Sequence, residues 1–250
     1  MLSLGLGLIA ALAWAVHDIC VRFVSQRGGI LPALCAVLIV GTLLMAPASM
    51  LSDDWGQMTA RAYMLAMLSG AIFTLGYVGL YNAFRIGPVR LVAPIIGAYP
   101  VLTIAYAVLA GQAVPPDHWI AVGAVIVGVG IVGMLSDETD SGGSKRSAIL
   151  WALMGGAGFA LTFAIGQSAS HAGADMPVIL ITRLSAVALA VFLLFATGRA
   201  TLPQRSAWPF LALMGLLDCI ALGVVIAASG FDRPEFASVA ASTFGMLTVV

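Results

Sequence analysis

The sequence contains very little charge. Asp, Glu, Lys and Arg make up only 9% of its 250 residues, against roughly a quarter in ordinary soluble domains. The eleven basic and eleven acidic residues cancel, so no basic surface indicates a nucleic-acid partner. Hydrophobic residues make up 61% of the chain, more than a soluble fold of this length can bury. The composition therefore predicts a protein embedded in a lipid bilayer.

Cysteine is also scarce. Cys20, Cys35 and Cys219 all lie inside apolar runs, in odd number and without the spacing of a zinc site. The run "GVGIVG" (128–133) fits a dinucleotide fingerprint by its letters, but it lies within an apolar segment instead of at a turn between strand and helix. We expect no disulfide, no metal and no other cofactor.

Long apolar runs recur along the chain, each of about 20 residues, the length that crosses a hydrocarbon core of roughly 30 Å. The first run lacks the basic start and the cleavage site of a signal peptide, so it is interpreted as a retained span. The chain is predicted to be an all-α, multi-pass integral membrane protein, with the cell (inner) membrane as its expected location. Nine spans, numbered in chain order, are predicted at 3–24, 31–51, 62–84, 88–111, 117–135, 147–169, 176–197, 207–230 and 235–250.

The two halves of the chain are related. A constant shift of 145 residues places Ala15 on Ala160, Pro32 on Pro177 and Gly70 on Gly215 without a gap. Equivalent positions are five spans apart, and an odd number predicts halves of opposite orientation, an inverted repeat. We assign 1–135 to the first repeat, 136–146 to a polar linker, and 147–250 to an incomplete second repeat.

The repeat and the loop charges give two further expectations. The first half implies about 30 residues beyond Val250, so the ninth span is expected to be cut and a tenth to be missing, with reduced stability and transport. Basic residues concentrate after odd-numbered spans, which by the positive-inside rule predicts an N-terminus outside the cell.

Ionisable residues deep in apolar spans are the sharpest functional signal, because a charge there costs about 2.5 kcal/mol or more. Asp18 and Asp218 are expected to face the bundle interior, and Asp18 can pair with Arg22 one turn later. His17 points about 100° away from Asp18 and is assigned a helix-contact role. Arg22 is assigned a role as a positive charge that sets membrane topology, so the substitution Arg22→Lys should be tolerated. Arg183, near the start of span 7, is assigned a structural role.

Two segments carry a family resemblance. "YNAFRIGPVRLVAPIIGAYPVLT" (81–103) joins two spans through a short basic loop and places Pro94 and Pro100 inside span 4. "LAWAVHDICVRF" (12–23) has a mid-span Trp14 followed eight residues later by Arg22. Together they resemble EamA-type ten-helix permeases of the drug/metabolite transporter superfamily. The resemblance covers all 250 residues, with departures at Gln112, where many members have Glu, and in the absent tenth span.

The resemblance implies a central cavity lined by spans 1, 3, 4, 6, 8 and 9, in which the two halves alternate access. Aromatic and polar residues on these spans fit that picture, although helix packing explains any single aromatic residue equally well. The candidate substrate-binding residues are Trp14, Asp18, Tyr77, Tyr81, Asn82, Tyr99, Phe159, Phe163, Asp218 and Phe244.

The predicted function is secondary transport of small polar or amphipathic metabolites by alternating access, and a proton-linked mechanism is compatible with the buried aspartates. The expected partners are the lipid bilayer and a small-molecule substrate, and a homodimer is compatible with the sequence. Two alternatives remain open: an intramembrane enzyme using Asp18 and Asp218 as a carboxylate pair, and a non-transporting relative that associates with other membrane proteins. Because no catalytic motif accompanies the aspartates, we expect no enzymatic activity.

Overall fold

The computed structural model describes residues 2–27, 29–99, 101–102, 144–198, 201–228 and 240–248, with isolated positions between 105 and 131. Within these residues every regular element is a helix, and six helices are long and apolar enough to cross a membrane. The prediction of an all-α, multi-pass membrane protein is thereby confirmed. The six helices are span 1 (Leu2–Arg27), span 2 (Ile30–Met50), span 3 (Ala60–Ile86), span 6 (Lys145–His171), span 7 (Asp175–Ala196) and span 8 (Trp208–Ala227).

Local sequence sets the ends of span 3. The Thr59 hydroxyl accepts a hydrogen bond from the Ala62 amide at 3.1 Å, which satisfies one of the donors left free at a helix N-terminus. The helix stops at Gly87, whose amide donates to the Ala83 carbonyl, because Pro88 cannot continue the hydrogen-bond pattern. A new helix, the first part of span 4, begins directly at Val89.

Spans 4 and 9 are interrupted at equivalent positions. Span 4 is helical over Val89–Gly97, turns at Ala98 and resumes at Tyr99, whereas span 9 is helical over Phe244–Leu247 after a turn at 242–243. The predicted span 5 and residues 136–143 of the predicted linker lie outside the continuously described residues, and the span 6 helix begins at Lys145, within the predicted linker.

The two interruptions have the same backbone hydrogen bond. The Val101 amide donates to the Ala98 carbonyl at 3.0 Å, and the Met246 amide donates to the Thr243 carbonyl at 3.0 Å. Both residues of the second pair lie 145 positions after those of the first, so the break belongs to the repeat. Interrupted helices at corresponding positions of two inverted halves are typical of transporter binding sites.

The two halves pack through reciprocal helix pairs. Span 3 lies against span 6, where Gly79 approaches Gly155 and Gly76 approaches Gly158 so closely that no Cβ fits between the backbones. Span 1 lies against span 8 in the same way, and Ala13 and Ala221 share a buried cluster there. Ala13 and Ala221 are the repeat counterparts of Gly158 and Gly76, so one packing scheme is used twice.

Contacts along these helices also give their directions. Span 3 is antiparallel to span 6, since its earlier residue Ser69 bonds Thr162 while its later residue Gly79 meets Gly155. Span 1 is parallel to span 3, with His17 against Tyr77 and the later Arg22 against Phe84. Span 1 therefore runs opposite to span 6, as the inverted repeat requires.

Candidate functional site

A cavity of about 70 Å³ lies where the two halves meet. A single water needs roughly 10–15 Å³ by this measure, so the cavity has room for several waters. Its described lining comes from spans 1, 3, 4, 6, 7, 8 and 9. The lining residues are Trp14, His17, Asp18, Phe73, Tyr77, Leu80, Tyr99, Phe159, Phe163, Arg183, Asp218, Leu222 and Phe244.

Eight of the ten candidate substrate-binding residues lie in this lining: Trp14, Asp18, Tyr77, Tyr99, Phe159, Phe163, Asp218 and Phe244. The other two candidates lie elsewhere. Tyr81 is fully buried behind the cavity, one turn beyond Tyr77. Asn82 donates to the Val78 carbonyl of its own helix at 2.7 Å, which is a local helix contact.

One wall of the cavity is polar, and Asp218 is its centre. Its Oδ2 receives a hydrogen bond from Arg183 Nη2 at 2.7 Å, which makes a buried ion pair between spans 7 and 8. Its Oδ1 receives weaker bonds from the Trp14 indole at 3.4 Å and the Tyr77 hydroxyl at 3.3 Å. Because Trp14 and Tyr77 belong to the first half, this one carboxylate connects the two halves.

His17 and Asp18 form the second polar pair of this wall. His17 Nδ1 lies 3.3 Å from Asp18 Oδ1, and both side chains are at most 4% exposed. Asp18 Oδ2 and His17 Nε2 are buried without a hydrogen-bond partner among the described residues. Unpartnered buried polar atoms are rare in folded proteins and need an explanation.

The other wall of the cavity is aromatic. Phe73 packs edge-on against Tyr77 and Phe159, with ring centroids 4.6 and 5.9 Å apart. Tyr99 contacts Phe163 at 5.3 Å and stacks on Phe244 at 6.4 Å. Tyr99 and Phe244 are repeat counterparts. Because they are in contact, the pseudo-two-fold axis that relates the two halves passes close to this stacked pair.

The repeat shows how different the two walls are. The counterpart of Asp18 is Phe163, that of Asp218 is Phe73, and that of Tyr77 is Leu222. The backbone of the cavity is therefore pseudo-symmetric, but its chemistry is not, since polar groups on one side correspond to apolar groups on the other. One part of the lining therefore carries the charged groups, and the other carries apolar rings.

Two residues have a position that the sequence interpretation did not include. His17, predicted as a helix-contact residue, packs against Tyr77 of span 3 and also lines the cavity beside Asp18. Arg183, assigned a structural role on a non-lining span, also lines the cavity and is only 2% exposed, so it does not reach the membrane surface. A buried aspartate such as Asp218 needs a basic partner. That requirement could have predicted the ion pair with Arg183 from the sequence.

Phe73 and Leu222 were not among the candidates, and the repeat was the signal that would have found them. Shifting the candidates Asp218 and Tyr77 by 145 residues gives these two positions directly. Ten of the thirteen lining residues form five such pairs, whereas the counterparts of His17, Leu80 and Arg183 are not in the described lining.

The remaining candidates have structural surroundings. Arg22 does not pair with Asp18 among the described residues; its Nη1 donates to the carbonyls of Phe84 and Gly87, the latter at 2.5 Å. Pro94 lies inside the span 4 helix, and its carbonyl accepts from Ala98 at the break. Pro100 lies outside the described residues.

The geometry does not favour a catalytic carboxylate pair. Two carboxylates act as a pair when they share a proton at close range. Asp218 is instead bonded to Arg183, Trp14 and Tyr77, and Asp18 is bonded to His17. In the described part of the chain no group of histidine, cysteine and acidic residues has a metal-binding arrangement.

The comparison with known proteins agrees with the fold and with the resemblance drawn from the sequence. The model of the EamA-like transporter family matches residues 1–134, which is more than half of the chain. A search of curated proteins found no match. The chain belongs to the EamA-like transporter family.

Proposed function

We propose that this protein is a secondary transporter of small amphipathic cations, which carry a positive charge beside an aromatic or other apolar body. The observation that carries the proposal is the two-sided cavity between the inverted halves. Membership in a transporter family supports the general role. The substrate class rests on the chemistry of the cavity walls.

The charge count of the polar wall favours a cation. Arg183 balances Asp218 through their ion pair. Asp18 has no arginine or lysine partner among the described residues, and its neighbour His17 compensates the carboxylate only when the imidazole is protonated. With a neutral His17 the carboxylate is uncompensated, and its Oδ2 has no hydrogen-bond partner among the described residues. An uncompensated buried carboxylate is costly, so it must bind either a cation or a proton.

The aromatic wall suits the rest of such a ligand. Tyr99, Phe159, Phe163 and Phe244 line this wall, and aromatic faces attract cations by about 0.5–2 kcal/mol, more when water is excluded. Rings also stack on planar apolar groups. A proton and a cationic substrate would compete for Asp18, which is the simplest basis for proton-linked exchange.

Alternating access is part of the same proposal. In the described arrangement the cavity is too small for more than several waters. A larger ligand enters only if the halves separate on one side. Trp14 and Tyr77 bond Asp218 across the halves at 3.3–3.4 Å, and bonds of this length are weak enough to break during such a movement.

The test uses three probes that share one phenyl ring and differ in charge: phenyltrimethylammonium, phenylalanine and phenylacetate. Purified protein in liposomes should catalyse counterflow of the cation well above protein-free vesicles, with little flux of the anion. Asp18→Asn should preserve folding but reduce cation flux at least tenfold and flatten its pH dependence.

The matched control is Asp53→Asn, which removes an exposed carboxylate from a short turn outside the spans. This variant should transport like the wild type. Faster flux of the anion than of the cation, or equal flux by Asp18→Asn in folded protein, would contradict the proposed substrate class. Cleavage of peptide or lipid by the purified protein would instead support the enzymatic alternative.

A further inference from the structure

Tyr81 is a buried phenol that the cavity does not use. It is 0% exposed, and its hydroxyl has no hydrogen-bond partner in the described part of the chain. Its ring packs against Tyr77 at 6.2 Å on the same face of span 3. A hydroxyl in such a position is normally satisfied by protein or by a buried water.

A second unpartnered group lies on the neighbouring helix. Asp18 on span 1 is 3% exposed, and its Oδ2 has no partner among the described residues. Spans 1 and 3 run parallel and in contact, with His17 against Tyr77. Tyr81 packs against Tyr77, and Tyr77 in turn packs against His17, the residue next to Asp18, with ring centroids 6.2 and 6.1 Å apart.

Asp18 lines the cavity, whereas Tyr81 lies between the cavity and one end of the bundle. Toward that end, one turn after Asp18, Arg22 donates to the carbonyls of Phe84 and Gly87, where span 3 ends. The polar groups therefore follow the interface of spans 1 and 3 from Asp18, past Tyr81, to Arg22. Tyr81 belongs to the buried apolar cluster that also contains Cys20 and Cys35.

We propose that Asp18 Oδ2 and the Tyr81 hydroxyl enclose a hydration site behind the cavity, through which the coupling proton moves between Asp18 and the membrane face at Arg22. The proposal rests on the proposed proton-linked transport. When Asp18 is protonated, its proton passes to the water as the carboxylate forms, and the water passes a proton on to bulk solvent at that face. Substrate and proton still compete for Asp18, but the substrate reaches it from the cavity and the proton leaves it through the space behind the cavity.

The experiment separates substrate binding from proton movement. Counterflow of phenyltrimethylammonium at equal pH on both sides needs the cavity but no net proton transfer. Uptake of the same probe against an imposed pH gradient needs both. Tyr81→Phe removes only the hydroxyl, so counterflow should stay within about twofold of the wild type while gradient-driven uptake falls at least fivefold.

Tyr63→Phe is the matched control, because Tyr63 is only half-buried near the start of span 3. It should leave both activities unchanged. Equal gradient-driven uptake by Tyr81→Phe and the wild type overturns the hydration site while leaving the proposed function intact. Absence of counterflow in the wild type is a different result, which would overturn the proposed function itself.

A measurement on the wild type keeps the proposal testable if Tyr81→Phe does not fold. Infrared difference spectra between low and high pH, recorded in ordinary and in ¹⁸O-labelled water, detect a water that changes its hydrogen bonds when Asp18 titrates. We expect an isotope-sensitive water band that disappears in Asp18→Asn. A spectrum without such a band would overturn the proposal.

Discussion

Arg183 Nη2 lies 2.7 Å from Asp218 Oδ2, and the same carboxylate accepts hydrogen bonds from Trp14 and Tyr77 of the other half. Both residues of the ion pair belong to the second half. Arg183 therefore holds in place the Asp218 carboxylate, to which Trp14 and Tyr77 of the first half donate hydrogen bonds. The two charges of the ion pair are nearly fully buried, so each depends on the other for compensation.

The first prediction concerns this dependence. Arg183→Leu leaves Asp218 as an unpaired buried charge, and breaking a buried pair from one side costs about 3–5 kcal/mol. We expect a clearly lower melting temperature in detergent. The double variant Arg183→Leu with Asp218→Asn removes both charges and should recover much of the loss. Arg205→Leu, at an exposed position before span 8, serves as control; melting of Arg183→Leu equal to this control would contradict the prediction.

The second prediction concerns Arg22, whose guanidinium meets carbonyls left free at the end of span 3. Hydrogen bonds from a charged donor contribute about 1.5–3 kcal/mol, and a cation also suits a helix C-terminus. Arg22→Leu should lower stability by roughly that amount, whereas Arg22→Lys keeps a donor and should retain most of it. Thermal unfolding of purified variants checks this. Equal stability of Arg22→Leu and the wild type would leave Arg22 with only the predicted role in topology.

The third prediction tests the close approach of the halves. A Cβ on Gly79 would lie 2.6 Å from the Gly155 backbone nitrogen and 2.9 Å from its Cα. Because backbone cannot give way as a flexible side chain does, Gly79→Ala should cost about 1–3 kcal/mol through overpacking. Gly223→Ala is the control, since a Cβ there meets no described atom within 4 Å. If both variants melt alike, the spacing of spans 3 and 6 does not depend on this glycine.

The long helices could be predicted from the sequence because their length and apolarity are local properties. Spans 1, 2, 3, 6, 7 and 8 lie within a few residues of their predicted bounds. The break in span 4 was less predictable, since Pro94 lies inside the helix and the turn follows at Ala98. The matching break in span 9 identifies the break in span 4 as a feature of the repeat.

Side-chain partners were the weaker part of the prediction. The spacing of Asp18 and Arg22 predicts an ion pair, a rule that applies to neighbours on one isolated helix. In the bundle Arg22 instead contacts carbonyls of span 3, and Asp18 contacts His17. The ion-pair partner of Arg183 was missed for the same reason, because Asp218 lies 35 residues away on another helix. Tertiary contacts of this kind are not contained in any local pattern.

The last prediction separates the two walls of the cavity. Phe163 occupies, in the second half, the position that Asp18 occupies in the first. A variant at Phe163 therefore tests ring contact, and a variant at Asp18 tests charge, at equivalent positions of the two halves. Phe163→Leu keeps an apolar residue but removes a π-face, worth about 0.5–2 kcal/mol to a bound cation or ring. The apparent affinity for phenyltrimethylammonium should therefore fall about twofold to thirtyfold, since 1.4 kcal/mol is tenfold. The pH dependence should be unchanged, because Asp18 is intact.

Asp18→Asn should give the opposite result, a flattened pH profile and loss of charge selectivity with ring selectivity retained. Phe192→Leu is the control for the first variant, because Phe192 is 65% exposed on the outer face of span 7 and should not affect binding. Concentration series of the three phenyl probes, at several pH values, measure both properties in one assay. If Phe163→Leu changed the pH profile as strongly as Asp18→Asn, or if Phe192→Leu weakened binding equally, the cavity would not divide charge and ring recognition between its two walls.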